Sequence, residues 1–362
     1  MLKKIGVLTG GGDCPGLNAV LRAVVKTAVG KYGCEVIGFR DGYHGLVLND
    51  SLKLKRSNVS GILDRGGTIL GSSNRDNPFQ FKVTAEDGAT QYLDLSDQVV
   101  QNITELGIEC MVIIGGDGTL SSARDFAKKG LKVIGVPKTI DNDLSATDIT
   151  FGFMTAVDTA TDAIDKLHTT AESHHRIMVL EVMGRYAGWI ALESGLAGGA
   201  DIILIPEIPY DIKKVAQKVL DRNNAGKHFS IVVVAEGAKP QAGNMVVSKI
   251  VGDSPDPIRL GGIGNQVAEQ LQAFTSIEAR VTVLGHLQRG GSPSAFDRIL
   301  ATRYGVAAVE LIKNEQFGVM VSLQGSHITA VSLEEAVGKL KTVPTDSELI
   351  AAAKSIGTEF GD

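Results

Sequence analysis

The segment Lys138-Thr-Ile-Asp-Asn-Asp143 directly follows a strand-like run, Leu131-Lys-Val-Ile-Gly-Val-Pro137. Asp141 and Asp143 are two positions apart, so an extended backbone projects both carboxylates from one side. Two acids beside Lys138 suit a site that handles a proton, a magnesium ion and a phosphate. One carboxylate can accept the proton of an attacking hydroxyl, and Thr139 can hold a transferring phosphoryl group. Upstream, Cys110-Met-Val-Ile-Ile114 opens into Gly115-Gly-Asp-Gly-Thr119. There Gly115 and Gly118 permit close approach of a nucleotide phosphate, and Asp117 can serve magnesium directly or through water. The plainer alternatives are a helix-capping Asp117 and an Asx-rich turn at 141–143. Taken together, the two segments point to phosphoryl transfer.

Three further clusters lie at the ends of strand-like runs. In Thr9-Gly-Gly-Gly-Asp-Cys-Pro-Gly-Leu-Asn18, backbone N–H groups and a helix N-terminus can seat a phosphate. It matches neither the Gly-Lys-Ser/Thr loop of P-loop enzymes nor the G-x-G-x-x-G of dinucleotide folds. Met183-Gly-Arg185 places Arg185 where it can neutralise charge on phosphoryl oxygens. Arg176, Arg280 and the set His286-Leu-Gln-Arg289 form a candidate cradle for an anion, because a guanidinium grips phosphate as a fork. His174 and His175 have no acidic or cysteine partner at ligand spacing.

The elements that must position these residues alternate in kind. Strand candidates are 5–9, 35–39, 111–114, 132–136, 176–182, 202–205, 231–235 and 280–284. Helix candidates are 16–31, 120–128, 153–173, 188–196, 213–225, 263–274, 295–312 and 347–354. Several strands are continuous apolar runs, as parallel strands covered on both faces are. The pattern is α/β: two doubly wound domains with mainly parallel sheets and exchanged segments, the active site in the cleft between them. Glycine or polar clusters follow the carboxyl ends of many strands, the edge at which such sheets bind ligands. Polar stretches 80–98 and 241–262 read as surface insertions.

At 362 residues the chain is long for one core, which also favours two domains. A net charge of −5 argues against general binding to nucleic acid or membrane surfaces. Cys14, Cys34 and Cys110 lack pairing or metal spacing and read as reduced thiols of a cytoplasmic protein. No apolar run approaches the ~20 residues of a membrane span.

On these motifs the chain resembles the 6-phosphofructokinases, from about Ile5 to Ile312. Gly-Gly-Asp-Gly-Thr alone also occurs in NAD kinases and diacylglycerol kinases; the other motifs set this chain apart. The resemblance implies that ATP, with Mg2+, phosphorylates fructose 6-phosphate at its 1-hydroxyl. It makes Asp141 the proton acceptor, with Asp143 orienting the site, Thr139 contacting substrate and Arg185 stabilising the transferred group. Gly11, Gly12, Arg75, Asp117, Gly118 and Thr119 would meet the donor, and Asp117 the metal. Met183, Gly184 and Glu236 would hold the sugar, and His286 and Arg289 its 6-phosphate. Arg176 and Arg280 would reach in from a neighbouring subunit, so that a homo-oligomer, dimer or tetramer, shares the site. The corresponding domains would be 1–150 plus about 287–338 for the donor, and about 151–286 plus 339–362 for the sugar phosphate.

The donor signature is mixed. Lys138 is usual in pyrophosphate-dependent members of the family, whereas Gly118 stands where those members carry aspartate. Gly118 leaves room for an α-phosphate and its nucleoside, which favours ATP, with pyrophosphate the alternative. Lys26 and His168 stand where the allosteric members' effector pocket would have arginines, with Arg22 retained, which implies weak or absent effector control. A sensor that binds such ligands without catalysis is the rival of a different class, and it has no need of a base such as Asp141.

Overall fold

The computed structural model describes residues 3–85, 88–250 and 258–362. In chain order the elements begin β1 (Lys4–Thr9), α1 (Leu17–Tyr32), β2 (Glu35–Phe39), α2 (Tyr43–Leu48) and β3 (Ser51–Leu54). They continue with β4 (Phe81–Thr84), β5 (Thr90–Leu93), α3 (Ser96–Glu105), β6 (Cys110–Gly115), α4 (Asp117–Lys128) and β7 (Val133–Pro137). Next come α5 (Phe153–His174), β8 (Ile177–Val182), α6 (Trp189–Ala197), β9 (Ile202–Leu204), α7 (Ile212–Asn224) and β10 (Ser230–Ala235). Then follow β11 (Val247–Ile250), β12 (Ile258–Leu260), α8 (Ile263–Thr275), β13 (Ala279–Val283) and α9 (Ala295–Lys313). The chain ends with β14 (Val319–Gln324), β15 (His327–Ser332), α10 (Leu333–Ala336) and α11 (Glu348–Ser355).

These elements form two compact units. The first comprises Met1–Ile140, Leu144–Met154 and Arg289–Lys339; the second comprises Asp141–Asp143, Thr155–Gln288 and Leu340–Asp362. In the first unit a seven-stranded sheet runs β15-β14-β7-β6-β1-β2-β3. Its inner pairs are parallel, and the outer pairs β2–β3 and β14–β15 are antiparallel. One face is sealed by Leu46, Val99, Leu120, Phe126 and Leu333 packing on Leu8, Met111, Ile113 and Met320. α9 packs against α1 and β7. That packing is close: a Cβ at Gly305 would lie 2.7 Å from the carbonyl oxygen of Val20.

The second unit is wound on a wholly parallel sheet, β13-β8-β10-β9. Ile177, Val179, Ile202, Leu204, Val232 and Val234 meet Val215, Val219, Val267 and Leu271 of α7 and α8. β8 and β10 are buried along their whole length, which explains why they read as unbroken apolar runs.

The polar stretches read as insertions are partly regular. Residues 80–98 contain the antiparallel hairpin β4–β5, and β5 is exposed at every position. Without a buried face, the strand shows no alternation of apolar and polar residues. Residues 241–262 contain the hairpin β11–β12, and the part of that stretch at 251–257 lies outside the described residues. Among the described residues, no helix is long and apolar enough to cross a membrane.

Candidate active site

In the first unit, the glycine loop after β1 and the loop after β6 converge on Thr119. A Cβ at Gly10 would lie 2.7 Å from Thr119 Cγ2, and one at Gly115 would lie 2.4 Å from it. Both glycines are therefore needed where the two strand ends close around that side chain. Gly10 N–H donates to Ile114 O at 2.8 Å and Gly11 N–H to Ser73 O at 2.9 Å. These two N–H groups serve the fold, so Gly11 contributes close approach and its left-handed φ of 81°.

Three more bonds fix the loop. Ser72 Oγ donates to Gly11 O, the Lys138 ammonium to Gly12 O and Arg289 Nη1 to Asp13 O. Buried Asn18 ties the following helix to segment 65–69, donating to Arg65 and Gly66 carbonyls and accepting from Ile69 N–H. Sequence reasoning missed Ser72 and Ser73, which have no spacing signal. Arg75 is exposed, with its N–H on Ser73 Oγ.

Asp117 does not cap its own helix. Gly116 is the N-cap of α4, and Asp117 Oδ1 accepts the Gly338 N–H at 2.7 Å in the first turn. Thr119 O accepts from the Tyr43 hydroxyl at 2.8 Å. A Cβ at Gly118 would meet nothing within 4 Å, so open space adjoins that position. Lys138, only 4 % exposed, continues β7, with its N–H on Gly115 O. Thr139 O accepts from Thr150 Oγ1.

The second unit holds the acids. The extended geometry expected for Asp141 and Asp143 is absent: the segment turns at Ile140 and Asp141, and Asn142 has φ 51°. Asparagine tolerates that left-handed conformation better than most residues, which explains its place between the two acids. The Lys341 ammonium donates to Asn142 Oδ1 at 2.9 Å, and Lys341 N–H to Asp143 O at 2.8 Å.

Met183, Gly184, Arg185 and Glu236 come together at the carboxyl ends of the paired strands β8 and β10. Glu236 N–H donates to Val182 O and Gly237 N–H to Gly184 O. A Cβ at Gly237 would sit 1.8 Å from Arg185 O, so only glycine fits. The Arg185 guanidinium lies over the Tyr186 ring. Gln288, fully buried between two predicted site residues, accepts the Met183 N–H through Oε1.

Arg176 and Arg280 share one carboxylate. Arg176 Nε donates to Glu278 Oε2 at 2.7 Å, and the Arg280 guanidinium pairs with Oε1. The two guanidiniums hold the Glu278 carboxyl below the usual range. Parallel pairing of β13 with β8 sets this juxtaposition, which no linear spacing reveals. His286 is exposed in a short 3-10 turn beginning at Gly285. His168 Nε2 lies 2.7 Å from Gly198 O, with its ring edge-on to Phe229.

Among the described residues, no three His, Cys, Asp or Glu side chains are grouped to hold a metal. Asp117 alone in a helix first turn fits a magnesium ion that keeps most of its shell as water and substrate phosphate.

A family model described as "PFK: Phosphofructokinase" matches residues 4–312. An "ATP-dependent 6-phosphofructokinase 2" of Clostridium perfringens is 62% identical over 362 residues, covering 100% of this chain and 99% of its own. A "Pyrophosphate--fructose 6-phosphate 1-phosphotransferase" of Streptomyces coelicolor is 53% identical, covering 99% of this chain and all of its own. Among solved structures, phosphofructokinase from Saccharomyces cerevisiae superposes with a TM-score of 0.78 at 32% identity. That match covers 92% of this chain, which spans 45% of the yeast chain. Two α/β units, the first with glycine loops after its strands and the second with the acid segment, define a phosphoryl-transfer class of protein. The chain belongs to the phosphofructokinase family.

Proposed function

We propose that the chain transfers a phosphoryl group from ATP to the 1-hydroxyl of fructose 6-phosphate, giving ADP and fructose 1,6-bisphosphate. Asp141 accepts the proton of the hydroxyl, Asp143 orients the site and Thr139 contacts the substrate. Arg185 neutralises charge on the moving group. Gly11, Gly12, Arg75, Gly118 and Thr119 face the donor. Met183, Gly184 and Glu236 hold the sugar, while His286, Arg289, Arg176 and Arg280 hold its 6-phosphate. Asp117 would hold Mg2+, which supplies charge neutralisation on the donor phosphates when bound. The working form we infer is a cytoplasmic homo-oligomer whose subunits share the phosphate-binding arginines, with little effector control.

The open space beside Gly118 carries the choice of donor. An α-phosphate and nucleoside fit where an aspartate side chain would block and repel them. Pyrophosphate is the second reading, favoured by Lys138 at the glycine loop and by the Streptomyces relative's name. Turnover measured with each donor separately decides between them: ATP supports the reaction, and activity confined to pyrophosphate overturns the choice. Asp141→Asn lowers kcat by ~10²–10⁴ with much smaller effects on substrate affinity. A near-parental kcat would reject Asp141 as the base.

A further inference from the structure

Lys341 lies beyond the span matched by the family model, in the last segment of the second unit. Its main chain and side chain both grip the acid loop. Lys341 N–H donates to Asp143 O at 2.8 Å, and its ammonium donates to Asn142 Oδ1 at 2.9 Å. The residue is itself held from behind. Trp189 Nε1 donates to Lys341 O at 2.9 Å, and the ammonium stands 5.7 Å from the centre of the Trp189 ring. Two positions on, Val343 N–H donates to Glu207 Oε1, and the same carboxylate accepts Gly188 N–H just before α6. The segment that carries Lys341 is thereby anchored to the start of α6, a largely buried helix.

Asn142 is 3 % exposed and left-handed, and it separates the two acids by one residue. Its φ and ψ decide where Asp141 points relative to Asp143. Whatever holds Asn142 in that conformation therefore sets the direction of both carboxylates.

We propose that Lys341 is a positioning residue for the reaction, a clasp that fixes Asn142 and so aims Asp141 and Asp143. The inference rests on the reading above in which Asp141 is the base. Positional errors of an ångström at a reacting group slow chemistry far more than they weaken binding.

The test is steady-state kinetics on Lys341→Met, which keeps the alkyl stem beside Trp189 and both main-chain bonds while removing the ammonium. The expected result is a kcat about 10–100-fold lower, with KM for each substrate within about 3-fold of the parent. Lys341→Arg, which can still donate, recovers part of the loss. Asn142→Ala breaks the same bond from the other end, so adding Lys341→Met to it lowers kcat by no more than about another 3-fold. A parental kcat in Lys341→Met overturns the proposal, as does a double variant whose losses multiply in full. If Lys341→Met fails to fold, Asn142→Ala alone must show the kcat-specific loss, and its absence is equally fatal. Asp141→Asn, assayed alongside, separates the two ideas. Loss there with none in Lys341→Met sinks the clasp alone, whereas parental activity in Asp141→Asn sinks the base and the clasp with it.

Discussion

The glycine loops of the first unit are set by close backbone packing, and the Arg176–Arg280 pair of the second by charge. Around Thr119, glycines are packed tightly enough that a methyl group at Gly10 or Gly115 would collide with it. The loop there is pinned by bonds to its own carbonyls at Gly11, Gly12 and Asp13. In the second unit, Arg176 and Arg280 meet Glu278 at a half-exposed surface, where ion pairs are worth about 0–1 kcal/mol. On the function proposed above, a donor shared by many reactions would be met by rigid main chain, and an acceptor that must be recognised would be met by side chains held only by exposed ion pairs.

The contrast can be broken at either side. Gly118→Asp places a carboxylate in the open space beside the glycine loop and should reduce kcat/KM for ATP by at least ~10²-fold, about 2.7 kcal/mol. Retained ATP turnover in that variant would show that the space is not where the nucleotide lies. Arg176→Ala and Arg280→Ala each remove a charge-assisted contact of about 1.5–3 kcal/mol. The KM for fructose 6-phosphate should then rise about 10–100-fold while that for ATP stays within a factor of a few. Equal effects on both substrates would dissolve the distinction between the units.

The smallest effect concerns stability. Burial pushes the Glu193 carboxyl up to about 7, against the opposing pull of Lys341. A carboxyl whose folded pKa lies above its unfolded value binds protons more tightly when folded, so stability falls as pH rises from about 4.5 to about 7. Glu193→Gln should flatten that decline and raise the melting temperature at pH 8 more than at pH 5. Indistinguishable melting profiles for the two proteins would reject the assignment.

Most parallel strands of both units were legible because two buried faces leave an unbroken apolar run, as in β8 and β10. β14, parallel to β7 and buried at four positions, was missed, and so was β15, an edge strand with no buried position and so no contrast. The acids, the glycine loops and the arginines were read as local motifs; the glycine loops follow β1 and β6, whereas Arg176 precedes β8 and Arg280 lies within β13. Their supports were invisible: Glu278 meets Arg176 only through strand register, and Lys341 meets Asn142 from 199 positions away. The extended geometry assumed at 141–143 failed because the chain turns at Ile140 and Asp141 and Asn142 takes a left-handed φ, with its side chain bonded to Lys341.

The interleaving of the units bears on how the chain is made. β7 gains its neighbour β14 through the pairing of Val319 with Ile134, so the first sheet stays incomplete on one side until nearly all of the polypeptide has left the ribosome. Until then β7 presents an unsatisfied ladder of main-chain groups, while the intervening stretch already contains every strand of the other sheet. Early chaperone engagement should therefore concentrate on that open flank, and a nascent fragment stalled at residue 288 should aggregate through it.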